Sequence, residues 1–114
     1  MTSVLVYGAY GLTGRFVVTE LRERGFTPIL SGRDAAKLPG GRPASVDDPT
    51  ALDRALDGVA AVINCAGPFA ATALPLASAA IRAGVPYVDV AAEIEANLDT
   101  FALTADTAVV PAMA

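Results

Sequence analysis

The sequence predicts an α/β domain built on a doubly wound parallel sheet, with strand order 3-2-1-4-5-6 and helices on both faces in three layers. Three observations carry that expectation. Short apolar runs alternate with amphipathic stretches, glycines and prolines punctuate the joints, and the first strand is apolar on both alternating faces. At 114 residues the chain has room for one domain with one modest core.

That first strand is Val4-Leu5-Val6-Tyr7. After a glycine cluster, Gly14, Val17, Val18 and Leu21 recur at helical spacing, with Arg15, Glu20, Arg22 and Glu23 projecting elsewhere, and Gly25 closes the helix. Pro28 to Ser31 reads as the second strand. Gly32-Arg33-Asp34 then leads into a short helical turn around Ala35 to Leu38, which Pro39-Gly40-Gly41 ends. A brief third strand is expected near Ala44 to Val46. Asp48-Pro49 opens the next helix, because aspartate accepts from the free N–H groups of a helix start and proline suits its first position. Leu52, Ala55 and Leu56 form its buried stripe, and Gly58 stops it.

Ala60 to Asn64 is the fourth strand. The helix after it, starting near Thr72 or Ala73, buries Ala77, Ala80 and Ile81 before Gly84. Val85 to Val90 supplies a fifth strand, Ile94, Leu98, Phe101 and Ala102 a further helical stripe, and Ala108 to Val110 a sixth strand. Right-handed crossovers applied to this order put the ligand crevice at the carboxyl ends of strands one and four, where the winding reverses.

Composition narrows the partners. With 54% hydrophobic and 18% charged residues and a formal charge of -4, the chain reads as soluble and globular, which disfavours a disordered tail and a nucleic-acid partner. Cys65 stands alone, so an internal disulfide and a multi-cysteine metal site are excluded and a cytoplasmic location is expected. The start lacks a basic n-region and a cleavage site, so no export signal is read. Histidine is absent, which removes the commonest general base. No charge falls between Asp57 and Arg82, yet Asn64, Gly67-Pro68, Thr72 and Pro75 interrupt that stretch, and no membrane span is expected.

Gly8-Ala9-Tyr10-Gly11-Leu12-Thr13-Gly14 sits between a buried strand and an amphipathic helix, the setting of a phosphate-binding turn. Gly8 permits a tight exit from the strand, Gly11 lets backbone approach a pyrophosphate, and Gly14 allows close packing of helix on sheet. The amides of Leu12 and Thr13, at the positive end of the helix dipole, are expected to hold phosphate oxygens, with the Thr13 hydroxyl adding another donor. Tyr10 either flanks the ligand or only covers the turn. The two residues between the first glycines depart from the G-x-G-x-x-G form.

After the second strand a carboxylate would grip the ribose of NAD, whereas an arginine can meet the extra phosphate of NADP. The run here is Ser31-Gly32-Arg33-Asp34. Arg33 can bind a phosphate dianion bidentately and Ser31 can donate to it, which favours NADP(H). Alternatively Arg33 is a solvated side chain paired with Asp34, and if Asp34 turns inward NAD becomes the better ligand. Asp47 either accepts from the adenine amino group or helps Asp48 begin the next helix.

Val4 to Gly14, Ser31 to Asp34, Asn64-Cys65-Ala66-Gly67-Pro68-Phe69, and Ala83-Gly84-Val85-Pro86-Tyr87-Val88-Asp89 together resemble the NADP-binding domain of the saccharopine dehydrogenase family, which includes trans-acting enoyl reductases. The resemblance spans essentially the whole chain. It implies a Rossmann-like domain of an NAD(P)-dependent oxidoreductase, with pyrophosphate at Gly8 to Gly14, Arg33 at the adenosine phosphate, and the Ala66-Gly67-Pro68 backbone lining the nicotinamide side. Relatives often carry glycine just before a glutamate after the fifth strand; here Ala92 precedes Glu93, which puts a substrate-side role for Glu93 in doubt. Relatives also continue into a second domain that closes the active site. The chain is therefore expected to be the cofactor-binding part of a larger enzyme, inactive by itself, and to self-associate through the edge at Ala108 to Val110.

No catalytic residue is expected within these residues. Cys65 lacks a histidine to activate it and reads as a small apolar side chain at a strand end. Asp89 and Glu93 either serve as acid or base or, the reading preferred, finish a strand and begin a helix. Two other functions stand beside the oxidoreductase: a short-chain reductase, although Tyr7, Tyr10 and Tyr87 all lack the lysine four residues on, and a non-catalytic nucleotide-sensing module.

Overall fold

Alternation along the first strand decides where it lies. In β1 (Ser3–Tyr7), Leu5 and Tyr7 join one buried cluster while Val6 joins another, so both faces are covered and the strand takes the middle of the sheet. The computed structural model describes residues 2–89 and 109–110. Along the chain β1 is followed by α1 (Leu12–Glu23), β2 (Thr27–Gly32), a 3-10 turn (Ala35–Lys37), β3 (Arg42–Pro43), α2 (Pro49–Ala55), β4 (Ala61–Asn64), α3 (Phe69–Ala83), β5 (Tyr87–Asp89) and β6 (Val109–Val110). All pairings are parallel and the order is β3-β2-β1-β4-β5-β6, as the sequence predicts.

The two clusters define the layers. Leu5 and Tyr7 pack with Leu52 and Leu56 at α2 and with Leu76, Ala77 and Ala80 of α3, while Val6 packs with Val18 and Val17 of α1 on the opposite face. Leu5, Leu52 and Leu76 are almost wholly buried, so truncating any of them to alanine costs about 2–5 kcal/mol. Asp48 caps α2 by accepting from the Ala51 N–H at 3.1 Å, with Pro49 in the first turn. Gly84 ends α3 at φ 71°, a left-handed conformation that places its N–H on Ile81 O and that of Val85 on Ala80 O.

Two elements depart from expectation. β3 is Arg42–Pro43, ahead of the apolar run Ala44 to Val46, because pairing with β2 is set by polar contacts: the Ser31 hydroxyl donates to Arg42 O at 2.6 Å and the Ala44 N–H to Gly32 O at 2.8 Å. α3 begins at Phe69, not Thr72, because the chain enters the helix straight from Pro68, whose extended φ and ψ suit a helix entry without a side-chain cap. Strand ends otherwise shift by one or two residues. The stripe at Ile94, Leu98, Phe101 and Ala102, together with Val90, Ala92, Glu93 and Ala108, lies outside the described residues. Among the described residues no helix is long and apolar enough to cross a membrane.

Candidate functional site: a glycine turn and a cleft

The turn leaving β1 is held by main-chain bonds. Gly8 has φ 82°, its N–H and that of Ala9 donate to Ser31 O at 2.9 and 3.2 Å, and the Gly11 N–H donates back to Gly8 O at 3.1 Å. Gly14 is buried, and a Cβ there would collide with Gly8 O and the Ala9 backbone, so its lack of a side chain lets the first turn of α1 sit against the glycine turn. Gly11 is different. Its φ of -74° suits any residue, and a Cβ would meet nothing closer than Gly8 O at an ordinary 3.5 Å. The chain's own packing does not require glycine there, and the open space beside it is what close approach of a ligand needs.

Gly11 is also the N-cap of α1, and a glycine brings no side-chain cap. The first amides of a helix have no intrahelical acceptor, so the N–H groups of Leu12 and Thr13 point free at the dipole's positive end. Both side chains are exposed, and the Thr13 hydroxyl has no partner among the described residues.

A cleft of about 150 Å³ opens beside the turn, at the carboxyl ends of β1, β2 and β4. Gly8, Tyr10, Arg33, Ala66, Gly67 and Pro68, all expected from the sequence, line it together. Tyr7, Gly32, Val46, Ala71 and Thr72 line it as well, unforeseen. Tyr7 and Val46 carry a detectable signal, since each is the last apolar residue of a run that ends at the crevice. Gly11, Leu12 and Thr13 stand at the adjoining helix start.

On the β2 wall the structure separates residues the sequence had grouped. Arg33 is exposed on the cleft and makes no hydrogen bond or ion pair among the described residues. Asp34 neither pairs with it nor turns into the cleft: its Oδ1 accepts from the Ala36 N–H at 3.0 Å and caps the 3-10 turn. Ser31 corrects the expectation of a phosphate donor, since it is fully buried and its hydroxyl is committed to Arg42 O. Tyr10 both covers the turn and faces the cleft. Its ring lies on Gly32, where a Cβ would come within 2.8 Å of it, and the Lys37 ammonium sits 5.2 Å from the ring centroid. Asp47 is exposed beside the cleft-lining Val46, and Asp48 alone caps α2.

Burial dominates the titration of the neighbouring groups. It raises the Tyr7 phenol, with Tyr10 adding to the rise and the Arg33 guanidinium opposing it; the Tyr7 hydroxyl donates to Ala44 O at 2.8 Å. Cys65 is pushed up to about 11 by desolvation alone, so at neutral pH it is a protonated thiol packed against the cluster of Val6, Ala9, Val18 and Leu38, not a nucleophile.

At the β4 wall, Asn64, Thr72, Tyr87 and Asp89 form a buried polar cluster that sequence reasoning missed. Its signal was present: Asn64 and Asp89 are polar residues at the ends of otherwise apolar strands, and parallel pairing sets them side by side.

The strand order reverses between β1 and β4, and the glycine turn opens at that reversal. A parallel sheet arranged in this way defines the Rossmann-like class of dinucleotide-binding domains. The residues fit such a ligand, since Gly11 leaves its flank open, the helix start has no side-chain cap and Arg33 is a cation on the cleft without a partner among the described residues. The chain belongs to the family described as the saccharopine dehydrogenase NADP binding domain, which matches residues 4–110. It is 30% identical over 116 residues to a saccharopine dehydrogenase-like oxidoreductase of Arabidopsis thaliana, covering 81% of this chain and 26% of the relative. Against the trans-acting enoyl reductase of Mycobacterium tuberculosis it is 32% identical over 106 residues, covering 80% and 25%. Among solved structures, saccharopine dehydrogenase (L-Glu forming) from Saccharomyces cerevisiae superposes with a TM-score of 0.80 at 20% identity, over 99% of this chain and 27% of that one, a likeness of fold. The chain thus spans about a quarter of the length of the relatives it matches.

Proposed function

We propose that the chain binds NADP(H) in preference to NAD(H) and serves a cytoplasmic oxidoreductase of the saccharopine dehydrogenase-like kind. The observation that carries the cofactor choice is Arg33, a guanidinium on the cleft wall just past β2, with no partner among the described residues and with the carboxylate next to it in sequence, Asp34, occupied as a cap. In this reading the free amides of Leu12 and Thr13 hold the pyrophosphate and Arg33 holds the adenosine phosphate. Tyr10 flanks the adenosine, Asp47 accepts from the adenine amino group, and the Ala66–Pro68 main chain borders the nicotinamide. When bound, the cofactor supplies hydride chemistry; the chain's residues bind it, orient it and keep one face of the cleft dry. Hydride transfer to or from a small organic substrate draws its acid, base and substrate contacts from the part of such proteins that these residues do not represent. The same proposal includes pairing of two copies along β6, the last strand in the order, which light scattering across a concentration series tests: a monomer throughout rejects it.

Isothermal titration with NADPH and NADH tests the cofactor choice. NADPH binds more tightly, and Arg33→Ala removes that preference by weakening NADPH roughly 10- to 100-fold, the loss of a charge-assisted bidentate contact of about 1.5–3 kcal/mol. Equal affinities that Arg33→Ala leaves unchanged reject it.

A further inference from the structure

We infer that Asn64 and Thr72 are positioning residues for the nicotinamide half of the dinucleotide, acting through the main chain of Ala66. The inference rests on the proposal that the dinucleotide lies in this cleft. Asn64 Oδ1 accepts from the Ala66 N–H at 3.0 Å, and the Thr72 hydroxyl donates to Ala66 O at 2.8 Å, so both main-chain polar groups of Ala66 are held by side chains. The same two side chains hold each other, Asn64 Nδ2 donating to Thr72 Oγ1 at 3.1 Å. A Cβ at Gly67 would meet no atom within 4 Å, so no packing around that residue holds the connection. The side-chain hydrogen bonds to its main chain are made at Ala66.

The direction of every bond follows from one end of the cluster. The Asp89 carboxylate accepts, so the Tyr87 hydroxyl donates to it at 2.7 Å; Tyr87 must then accept, which it does from Asn64 Nδ2 at 3.1 Å. That turns the other end of the Asn64 amide, its oxygen, toward the Ala66 N–H. Asn64, Tyr87 and Asp89 are wholly buried and Thr72 nearly so, so leaving any of these groups unpaired is costly and the arrangement has one favourable state. Thr72 and Ala66 also line the cleft. The cluster therefore converts burial under α3 into a fixed main-chain surface on the β4 side, before any ligand arrives.

Thr72→Val keeps the shape of the side chain and removes both hydrogen bonds. With the full chain, the titrants are NADPH and adenosine 2′,5′-bisphosphate, which lacks the nicotinamide. Thr72→Val weakens NADPH about five- to tenfold, the cost of an Ala66 carbonyl set loose, leaves the bisphosphate unchanged, and Thr72→Ser restores wild-type affinity. Equal losses for both ligands, or none for either, overturn the inference. Failure of the wild-type chain to bind NADPH at all overturns the cofactor proposal and this inference with it. A second measurement needs no variant. In the ligand-free wild-type chain the Ala66 amide exchanges slowly with solvent, and adding NADPH changes its rate little; exchange at the unprotected rate overturns a turn shaped in advance.

Discussion

Gly8 and Ala66 touch across the top of the sheet: a Cβ on Gly8 would lie 2.8 Å from both the Cα and the amide nitrogen of Ala66. The glycine turn after β1 and the connection after β4 are thus keyed to one another through main chain. Gly8→Ala faces that collision as well as a φ of 82° that L residues resist. Together these destabilise the fold by about 2–5 kcal/mol, adding the left-handed penalty to overpacking. Urea unfolding measures it, and a midpoint equal to wild type shows that the two turns are not in contact.

Gly11 answers differently, because the protein itself leaves room for a methyl group. Gly11→Ala keeps stability within about 1 kcal/mol, since alanine is a poorer N-cap than glycine but restricts the unfolded chain. Affinity for NADPH falls roughly tenfold, as the methyl group occupies the space the pyrophosphate needs. Calorimetry beside urea unfolding separates the two effects. Unchanged affinity shows that phosphate does not approach the turn at Gly11.

Asp47 and Asp48 are neighbours with separate duties. Asp48→Ala frees the Ala51 amide and costs about 1 kcal/mol, whereas Asp47→Ala stays within about 0.5 kcal/mol and lowers only dinucleotide affinity. Comparable losses of stability for the two variants show that the cap is shared.

The asymmetry between these aspartates illustrates what the sequence could and could not reveal. Patterns that act locally were legible: the apolar run of β1, the spacing that places Gly14 and Val18 on the buried side of α1, and Asp48-Pro49 before α2. The strand order followed from them by handedness alone. What escaped depends on partners distant in the chain. Ser31 and Arg33 differ by two positions and read alike as phosphate donors. Only strand pairing with Arg42 shows that the first is buried inside the sheet edge and the second faces the cleft. Likewise Tyr87 and Asn64, 23 residues apart, become partners only once β4 and β5 are side by side. Boundaries at Phe69 and Arg42 were missed because neither start carries a side-chain signal that a local pattern contains.

Alkaline pH reads out the buried thiol. Cys65 has a folded pKa of about 11 against an ordinary 9.0, so between those values the unfolded chain has released a proton that the folded chain still holds. The unfolded state binds fewer protons there, and stability falls as pH rises from 9.0, with no further loss from this group above about 11. Tyr7 and Tyr87, both raised by burial above 10.0, extend the loss to higher pH. Cys65→Ala therefore flattens the first part of the alkaline limb and leaves the tyrosine part in place. Urea midpoints collected from neutral pH upward test this: parallel curves for wild type and variant show that the thiol is not desolvated. Iodoacetamide gives an independent reading, since a protonated, packed thiol alkylates slowly at neutral pH in the folded chain and rapidly once urea unfolds it.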